Sequence, residues 1–410
     1  MTFLPYHRPD LGEDEIAEVV AAMRSGWITT GPKTAQFEAE FREYVQARHA
    51  LATNSCTASL HLALAALGLG PGDEVITTAL TFCATVNTIL QVGATPVLAD
   101  IDEYGNLDPA SVEARITPRT RCILPVHLAG TPCRMRELWT LARRHGLFVV
   151  EDAAHAAGTH YAGRPIGAGL PEEGLFSDAV AWSFYATKNI TTGEGGMVTT
   201  HNADLDARMR VLCLHGISRD AWARYTDKGK WFYEVTECGF KYNLSDIQSA
   251  IGIHQLRRLE GFIRARAEIA ALYRELLSDV PEIELPREMP DTRHAWHIYM
   301  IRLRTDSLSV SRDRIMEDLK ADGIGASVHF IPIPLHAAYR NITTLSPAMV
   351  PETMALYPRI ISLPLYPGMT AADVRRVAGS LKRILAAQPA AALLKPEGSG
   401  VSSAYIARGI

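Results

Sequence analysis

Apolar residues near the start of the chain recur with the spacing of amphipathic helices. The first pattern covers residues 11–24 and stops at Ser25-Gly26, and a second covers residues 37–45. In both, the apolar side chains return every three or four residues, so they share one face of a helix. The chain is therefore expected to begin with two amphipathic helices. Their apolar positions are Leu11, Ile16, Val19, Val20 and Met23, and then Phe37, Phe41, Tyr44 and Val45.

From about residue 48, short apolar runs alternate with helical stretches. Such alternation is typical of βαβ units, and it predicts an α/β fold with a mainly parallel sheet. Ligand sites in these sheets lie at the carboxyl ends of the strands. The predicted strands are His49–Thr53, Glu74–Thr78, Thr95–Asp100, Cys122–Val126, Phe148–Glu151 and Val180–Phe184. The predicted helices between them are Thr57–Leu67, Phe82–Val92 and Met135–His145.

The second half of the chain has a different, α+β pattern. A long helical stretch, Ser245–Leu277, indicates a bent helix or two helices that bridge domains. We predict three parts: an N-terminal arm with a large domain at 1–249, a smaller domain at 250–390, and a tail at 391–410. We expect the tail to pack on a partner subunit. The elements predicted after the long helix are a strand at Trp296–Leu303, a helix at Arg312–Asp322, a strand at Gly325–Phe330 and a helix at Ala371–Leu385.

The composition excludes several classes of protein. With 47% hydrophobic and 21% charged residues among 410, the chain can bury a large core, and it is too long for one ordinary domain. Its net charge of −4 gives no electrostatic reason to bind nucleic acid or an anionic membrane. No CxxC pair, signal peptide or membrane-spanning run is visible, so we expect a cytoplasmic protein without a metal site.

A lysine follows the last predicted strand of the parallel sheet. Lys188 lies a few residues beyond Phe184, and the glycine-rich turn Gly193-Glu-Gly-Gly196 comes next. These glycines permit positive φ angles and a close approach of the backbone. A lysine amine can form a Schiff base with a carbonyl cofactor when its surroundings lower its pKa. A solvated lysine before a glycine-rich turn would show the same pattern.

An aspartate and a histidine follow the preceding strand. Asp152 ends the apolar run Leu147–Val150, and His155 comes three residues later. A carboxylate there can pair with a pyridinium nitrogen and keep it protonated, which makes the ring an electron sink. His155 would then hold the aspartate or touch the ring. The alternative is an aspartate that only caps a loop or helix.

Two further features lie earlier in the sheet. Small and hydroxyl residues over Thr53–Ser59 precede a helix, and the free N–H groups at such a helix start can hold a phosphate, although plain N-capping explains them equally well. Phe82 follows the strand that ends near Thr78, where a flat ring can stack on a planar cofactor or pack in the core. The order of helix start, aromatic ring, aspartate and lysine is what a pyridoxal phosphate (PLP) enzyme of fold type I, the aspartate aminotransferase-like fold, requires.

Six segments in collinear order carry a resemblance to a known family. They are Gly26–Pro32, Gly72–Ile76, Glu151–Ala156, Ala186–Asn189, Gly193–Gly196 and Lys241–Asp246. In these segments, and over about residues 3–388 as a whole, the chain resembles the DegT/DnrJ/EryC1/StrS sugar aminotransferases. The resemblance implies fold type I and PLP as the cofactor.

The resemblance also implies a role for each matching residue. Lys188 matches the lysine that forms the Schiff base with PLP and later moves a proton between the cofactor and the substrate carbon. Asp152 matches the partner of the pyridinium nitrogen, Phe82 the stacking ring, and His155 the residue beside that ring. The phosphate contacts are matched by Thr57, Ala58 and Ser183. Asn243 matches an asparagine that reaches the phosphate of the neighbouring subunit, which implies a homodimer with a shared site.

The implied reaction is a ping-pong transfer of an amino group from L-glutamate, which leaves as 2-oxoglutarate, to a 4-keto nucleotide sugar linked to UDP or dTDP. Within the family, the chain is most similar to the aminotransferases that form UDP-4-amino-4-deoxy-L-arabinose. Two alternatives stay open: a PLP-dependent sugar dehydratase of the same fold, in which histidine replaces the lysine, and a non-catalytic regulatory protein that keeps the fold. A dinucleotide-binding fold is excluded because no GxGxxG run follows the first strand.

Two segments depart from the pattern of that subgroup. Phe330-Ile-Pro-Ile-Pro-Leu-His336 follows His329 and is more typical of other nucleotide-sugar C4 aminotransferases. Residues 169–177 are inserted before the strand that leads to Lys188. Both departures concern the sugar and the nucleotide, and leave the type of reaction unchanged. His329 and His336 either line the sugar pocket or are structural.

Overall fold

The strands of the first half of the chain form one mixed sheet. In the computed structural model, which describes residues 2–217 and 233–387, the strands are β1 (His49–Thr53), β2 (Glu74–Thr78), β3 (Thr95–Ala99), β4 (Thr120–Leu124), β5 (Phe148–Asp152), β8 (Ala179–Ser183) and β9 (Gly196–Thr200). Their order across the sheet is β1-β9-β8-β5-β4-β2-β3, and only β9 runs against the others. The predicted parallel sheet is therefore confirmed, with one antiparallel strand added. The predicted tail at 391–410 lies outside the described residues.

Helices cover both faces of this sheet. In β8, Val180 and Trp182 pack on one face with aromatic side chains of α2 (Pro32–Tyr44). Ala179 and Ala181 pack on the other face with α3 (Cys56–Ala66) and α7 (Ala203–Cys213). Side chains that alternate between two buried faces explain why β8 is apolar from Ala179 to Trp182. The helices of this part are α1 (Glu13–Ser25), α2 (Pro32–Tyr44), α3 (Cys56–Ala66), α4 (Ala84–Gln91), α5 (Pro109–Glu113), α6 (Met135–His145) and α7 (Ala203–Cys213).

The start of α2 depends on a residue far along the chain. The buried Asp246 carboxylate accepts hydrogen bonds from the N–H groups of Gly31, Lys33 and Thr34 at 2.7, 3.0 and 2.9 Å. A carboxylate is favourable there because the first N–H groups of a helix have no acceptor within it. Asp246 thus ties α2 to the beginning of α8 (Asp246–Leu277).

A second hydrophobic cluster forms around a three-stranded sheet. Its strands are β10 (Ile283–Glu284), β12 (Tyr299–Leu303) and β13 (Ile360–Leu363), covered by α9 (Arg312–Ala321), α11 (Ala371–Ala386) and the second half of α8. α8 is one helix and not two, and it packs in both clusters, as expected for a bridge. Leu4 of the N-terminal arm also belongs to this cluster and pairs with Ile324. The remaining elements are β6 (His160–Tyr161), β7 (Arg164–Pro165), β11 (Thr292–Arg293) and α10 (Pro351–Leu356).

One predicted strand begins later than expected, and another does not form. The strand expected from Trp296 begins only at Tyr299, because His297 and Ile298 donate to the carbonyl of Ala129 and Trp296 has a positive φ of 48°. The strand expected at Gly325–Phe330 does not form, since Gly325 bonds to Leu4 and Ser327 to Ser362, so no single partner strand runs along it. Among the described residues, no helix is long and apolar enough to cross a membrane.

Candidate active site

A cavity of about 600 Å³ opens at the carboxyl ends of the parallel strands. Residues after β2, β4, β5 and β8 line it, together with the first turn of α3. Parallel strands end at the same edge of a sheet, so residues distant in sequence meet there. Of the eight predicted site residues, six line the cavity: Thr57, Phe82, Asp152, His155, Ser183 and Lys188.

Lys188 lies on a short closed loop between β8 and β9. The loop is closed by hydrogen bonds from Phe184 N–H to the carbonyl of Gly195 and from Thr192 N–H to that of Phe184, both 2.9 Å. Burial lowers the pKa of Lys188 to about 8, although the nearby Cys56 and Asp152 act in the opposite direction. A larger neutral fraction makes the amine a better nucleophile and proton acceptor near neutral pH.

Asp152 is held as a buried carboxylate at the end of β5. Its Oδ2 accepts a hydrogen bond from Thr85 Oγ1 at 2.8 Å, and its Oδ1 accepts one from the N–H of Ala154 at 3.1 Å. Burial raises the pKa of Asp152, and these two hydrogen bonds oppose the change. A buried carboxylate without a bound cation favours a ligand that brings a positive charge, such as a protonated ring nitrogen.

The first turn of α3 provides a cradle for an anion. The hydroxyl of Ser55 caps the helix by accepting from Ala58 N–H at 3.1 Å, while Cys56 and Thr57 face the cavity with the unpaired N–H groups of a helix start. Ser183 faces the same cavity from the end of β8. Ala58 is buried and is not among the cavity-lining residues, so its predicted phosphate contact has no direct geometric counterpart.

Aromatic and imidazole rings form the other walls. Phe82 is 60% exposed, which is high for an apolar ring that faces a cavity, and its centroid is 6.0 Å from that of Phe330. His155 accepts from Ala129 N–H through Nδ1 at 3.2 Å, so its Nε2 carries the hydrogen. Its ring lies 4.4 Å from that of His297. Burial lowers the pKa of His155, so the ring is neutral.

Asn243 stays apart from the cavity of its own chain. Its side chain donates to Thr30 Oγ1 at 2.6 Å and accepts from Lys241 Nζ at 2.5 Å. Its backbone pairs with Thr53. The carbonyl of its partner Thr30 accepts from Trp27 Nε1 at 3.0 Å, and Trp27 and the next residue, Ile28, are 38% and 55% exposed. The residue therefore lies beside a surface suited to a partner.

The sequence analysis did not predict several of the residues that line the cavity. Tyr6 arrives from the N-terminal arm, and its ring stacks on that of His329 at 5.3 Å. No periodicity marks Tyr6 as a site residue, because long-range contacts such as the pairing of Leu4 with Ile324 bring the arm here. Of the two histidines considered, His329 lines the cavity, whereas His336 lies outside its wall and packs near Tyr339.

These residues together fit PLP. The lysine, the buried carboxylate and the anion cradle surround one cavity, and an aromatic ring faces it. The cradle is also tight: a Cβ at Gly196 would stand 2.5 Å from the carbonyl carbon of Ser55. Only glycine therefore allows β9 to approach the start of α3 this closely.

Comparison with known proteins gives consistent similarities over nearly the whole chain. The sequence profile of the DegT/DnrJ/EryC1/StrS aminotransferase family matches residues 9–382. Spore coat polysaccharide biosynthesis protein SpsC of Bacillus subtilis is 48% identical over 385 residues, covering 93% of this chain and 97% of SpsC.

Solved structures show the same similarity in three dimensions. The PMP-form of the putative sugar aminotransferase Spr1654 from Streptococcus pneumoniae has a TM-score of 0.87 at 33% identity, covering 93% of this chain and 99% of that one. Spr1654 is also known in a PLP-form. Helicobacter pylori PseC, an aminotransferase involved in the biosynthesis of pseudoaminic acid, has a TM-score of 0.86 at 30% identity, covering 94% and 100%. The expected fold, type I, and the expected cofactor, PLP, are thereby confirmed.

Proposed function

The chain belongs to the DegT/DnrJ/EryC1/StrS aminotransferase family, and on this basis we propose that it transfers an amino group from L-glutamate to a 4-keto nucleotide sugar linked to UDP or dTDP. The observation that carries the proposal is the placement of Lys188, Asp152 and the anion cradle at the start of α3 around one cavity. A lysine rather than a histidine at this position favours amino transfer over dehydration. A complete set of reactive groups also argues against a purely regulatory protein.

The substrate class follows from the relatives and from the cavity wall. SpsC is named for polysaccharide biosynthesis, and PseC is an aminotransferase involved in the biosynthesis of pseudoaminic acid. Both descriptions support a sugar as the acceptor. The outer wall carries Tyr6, His297 and His329. Burial lowers the pKa of both histidines, that of His329 to about 4, so they face the cavity as neutral hydrogen-bonding groups. Neutral donors and acceptors beside aromatic rings suit a sugar with several hydroxyls.

Each of the cavity residues has a distinct role in this proposal. When bound, PLP supplies the electron sink for the carbanion that forms at the substrate carbon. Asp152 holds the proton on the ring nitrogen, and Phe82 and His155 fix the plane of the ring. Thr57, Ser183 and the N–H groups of α3 hold the phosphate. The Lys188 amine takes a proton from the donor's α-carbon and later delivers one to the acceptor carbon.

We further propose a homodimer in which Asn243 completes the phosphate site of its partner. Among the described residues, no arginine lines the cavity, although both substrates carry negative charges. Lys188 is the only lysine among the described lining residues, and a second copy of the chain is a natural source of further polar groups for these charges. The exposed Trp27 and Ile28 beside Asn243 offer an apolar contact surface.

The experiment is a visible absorbance titration of the purified enzyme. L-Glutamate is added first, and a panel of UDP- and dTDP-linked 3-keto and 4-keto sugars follows. We expect glutamate to bleach the band of the lysine-bound cofactor and one 4-keto sugar to restore it, which tests both half-reactions and identifies the acceptor. A cofactor-loaded enzyme that glutamate leaves unchanged would contradict the donor. Bleaching that only a 3-keto sugar reverses would contradict the position of amination.

A further inference from the structure

A chain of buried hydrogen bonds lies behind the carboxyl end of β5. Trp139 Nε1 donates to Ser177 Oγ at 2.8 Å, and Ser177 Oγ donates to Glu151 Oε1 at 2.5 Å. The other oxygen of Glu151, Oε2, lies 2.6 Å from His127 Nε2. Glu151 and His127 are 2% and 0% exposed. Successive residues of a strand point to opposite sides, so Glu151 lies behind Asp152 as seen from the cavity.

The two ends of this chain fix the direction of every hydrogen bond in it. Indole Nε1 is only a donor, so the single hydroxyl hydrogen of Ser177 must point at Glu151. At the other end, the backbone N–H of Cys133 donates to His127 Nδ1 at 3.0 Å. Nδ1 therefore carries no hydrogen, and His127 Nε2–H donates to Glu151. Both oxygens of Glu151 accept, as in an ionised carboxylate, and this buried carboxylate has no cation in contact among its partners.

The same residues are linked to Asp152 through the backbone. Asp152 N–H donates to the carbonyl of Pro125 at 2.8 Å, and His127 N–H donates to that of Asp152 at 3.1 Å. The side-chain contact between His127 and Glu151 ties the same two segments together a second time. The Asp152 side chain is thus set by a doubly braced junction between the ends of β4 and β5.

We propose that Glu151 is a positioning residue that acts through Asp152: it braces the Asp152 carboxylate toward the cofactor ring nitrogen and adds a buried negative charge behind it. A second buried carboxylate next to Asp152 in the chain favours the protonated ring more than Asp152 alone does. Ser177, which orients Glu151, is the last residue of segment 169–177, which the sequence analysis expects to be an insertion, and this segment contacts Glu151 behind the cofactor site. The inference rests on the cofactor of the proposed function and not on its sugar substrate.

The test measures the binding of PLP to the apoenzyme without any substrate. We expect Glu151→Gln to raise the Kd of PLP about tenfold, because an amide cannot accept from both Ser177 and His127. It should also move the ¹⁵N resonance of labelled ring nitrogen toward that of the unprotonated form, which a mere loss of packing would not do. Ser177→Ala keeps the carboxylate and should raise the Kd about threefold. Glu173→Gln, an exposed carboxylate of the same insertion, is the matched control and should change neither.

A double-mutant cycle decides whether the effect passes through Asp152. In an Asp152→Asn background, Glu151→Gln or Ser177→Ala should change the Kd by less than about twofold. Equal effects in both backgrounds would overturn the proposal, as would an unchanged Kd and ¹⁵N resonance in Glu151→Gln. If Glu151→Gln fails to fold, the Ser177→Ala cycle gives the same decision. A failed sugar titration would leave these results intact, so the two proposals fail separately.

Discussion

Gly196 touches the backbone of Ser55 at the point where β9 passes the first turn of α3. A Cβ at Gly196 would stand 2.5 Å from the carbonyl carbon of Ser55 and 2.7 Å from the amide nitrogen of Cys56. Backbone atoms cannot rotate away as a side chain can. The close approach sets the position of the helix start that we assign to the phosphate.

Gly196→Ala should therefore damage the cofactor site directly. The added methyl group must push α3 away from β9, at a cost of about 1–3 kcal/mol in the free energy of unfolding. We expect a Kd for PLP at least tenfold higher, measured by fluorescence quenching of the apoenzyme. Gly261→Ala is the control: that position lies in α8 with open space around it and should become slightly more stable. Unchanged PLP binding in Gly196→Ala would contradict the assignment of the cradle.

Lys188→Ala should keep the fold and lose turnover. Removing the proton carrier is expected to slow the half-reaction with L-glutamate by at least about 10²–10⁴-fold, measured by stopped-flow absorbance. The circular dichroism spectrum and Tm should stay close to those of the unmodified enzyme. Lys382→Ala removes a surface lysine paired with Asp279 and should leave the rate unchanged. Substantial steady-state activity in Lys188→Ala would contradict the proposed role.

The parallel part of the sheet could be predicted because its strands are buried on both faces. A short apolar run between polar residues then marks each strand, as it does at Glu74–Thr78. Asp152 and Lys188 could be predicted as site residues for the same reason, since each follows the end of such a run. β9 was missed because it begins at Gly196, the last residue of a glycine-rich run that is typical of a turn.

The features that the sequence did not predict depend on contacts between residues far apart in the chain. Tyr6 enters the cavity from an arm in which Leu4 pairs with Ile324, more than 300 residues away. The apolar residues at Gly325–Phe330 suggested a strand, yet their hydrogen bonds divide between the arm and Ser362. The Glu151–Ser177 contact likewise joins a strand to a loop, and neither residue alone carries a recognisable pattern. The proposed boundary near residue 250 stays a prediction.

The reactivity of Lys188 should rise with pH around a midpoint of about 8. Burial of the amine lowers its pKa to that value, below the ordinary value of about 10.4, so the neutral form gains population as the pH passes 8. The histidines of the cavity do not interfere, because burial keeps the pKa values of His155, His297 and His329 below the range tested. Competitive acetylation of the apoenzyme, read for Lys188 by mass spectrometry between pH 6 and 10, gives the midpoint.

Asp152→Asn tests whether the charge of Asp152 contributes to that midpoint. The negative charge of Asp152 favours the protonated amine, so its removal should move the midpoint of Lys188 to lower pH. Asp279→Asn is the control. It removes an exposed carboxylate that pairs with Lys382 of α11, and it should leave the midpoint unchanged. A midpoint near 10 in the unmodified apoenzyme, or an upward shift in Asp152→Asn, would contradict the electrostatic description of the site.

Mixed dimers can decide whether Asn243 acts on its own subunit or on its partner. The structure of one chain is compatible with both arrangements. The backbone of Asn243 pairs with Thr53, close to the cradle of its own chain, whereas the exposed Trp27 and Ile28 lie on the surface. We expect Asn243→Ala to weaken PLP binding about tenfold through the loss of a phosphate hydrogen bond. If the asparagine acts across the interface, mixing Lys188→Ala with Asn243→Ala subunits creates one intact site in each mixed dimer.

Random re-association of equal amounts should then restore about a quarter of the unmodified sites, since half of the dimers are mixed and each holds one intact site of two. The restored sites should bind PLP with the unmodified affinity and show the glutamate half-reaction at the unmodified rate. Asparagine acting within its own subunit predicts no recovery, because every subunit with Lys188 then lacks its asparagine. Each parent homodimer, unfolded and refolded alone, controls for reactivation during mixing. Recovery of high-affinity PLP binding in a quarter of the sites therefore identifies a shared site, and its absence contradicts one.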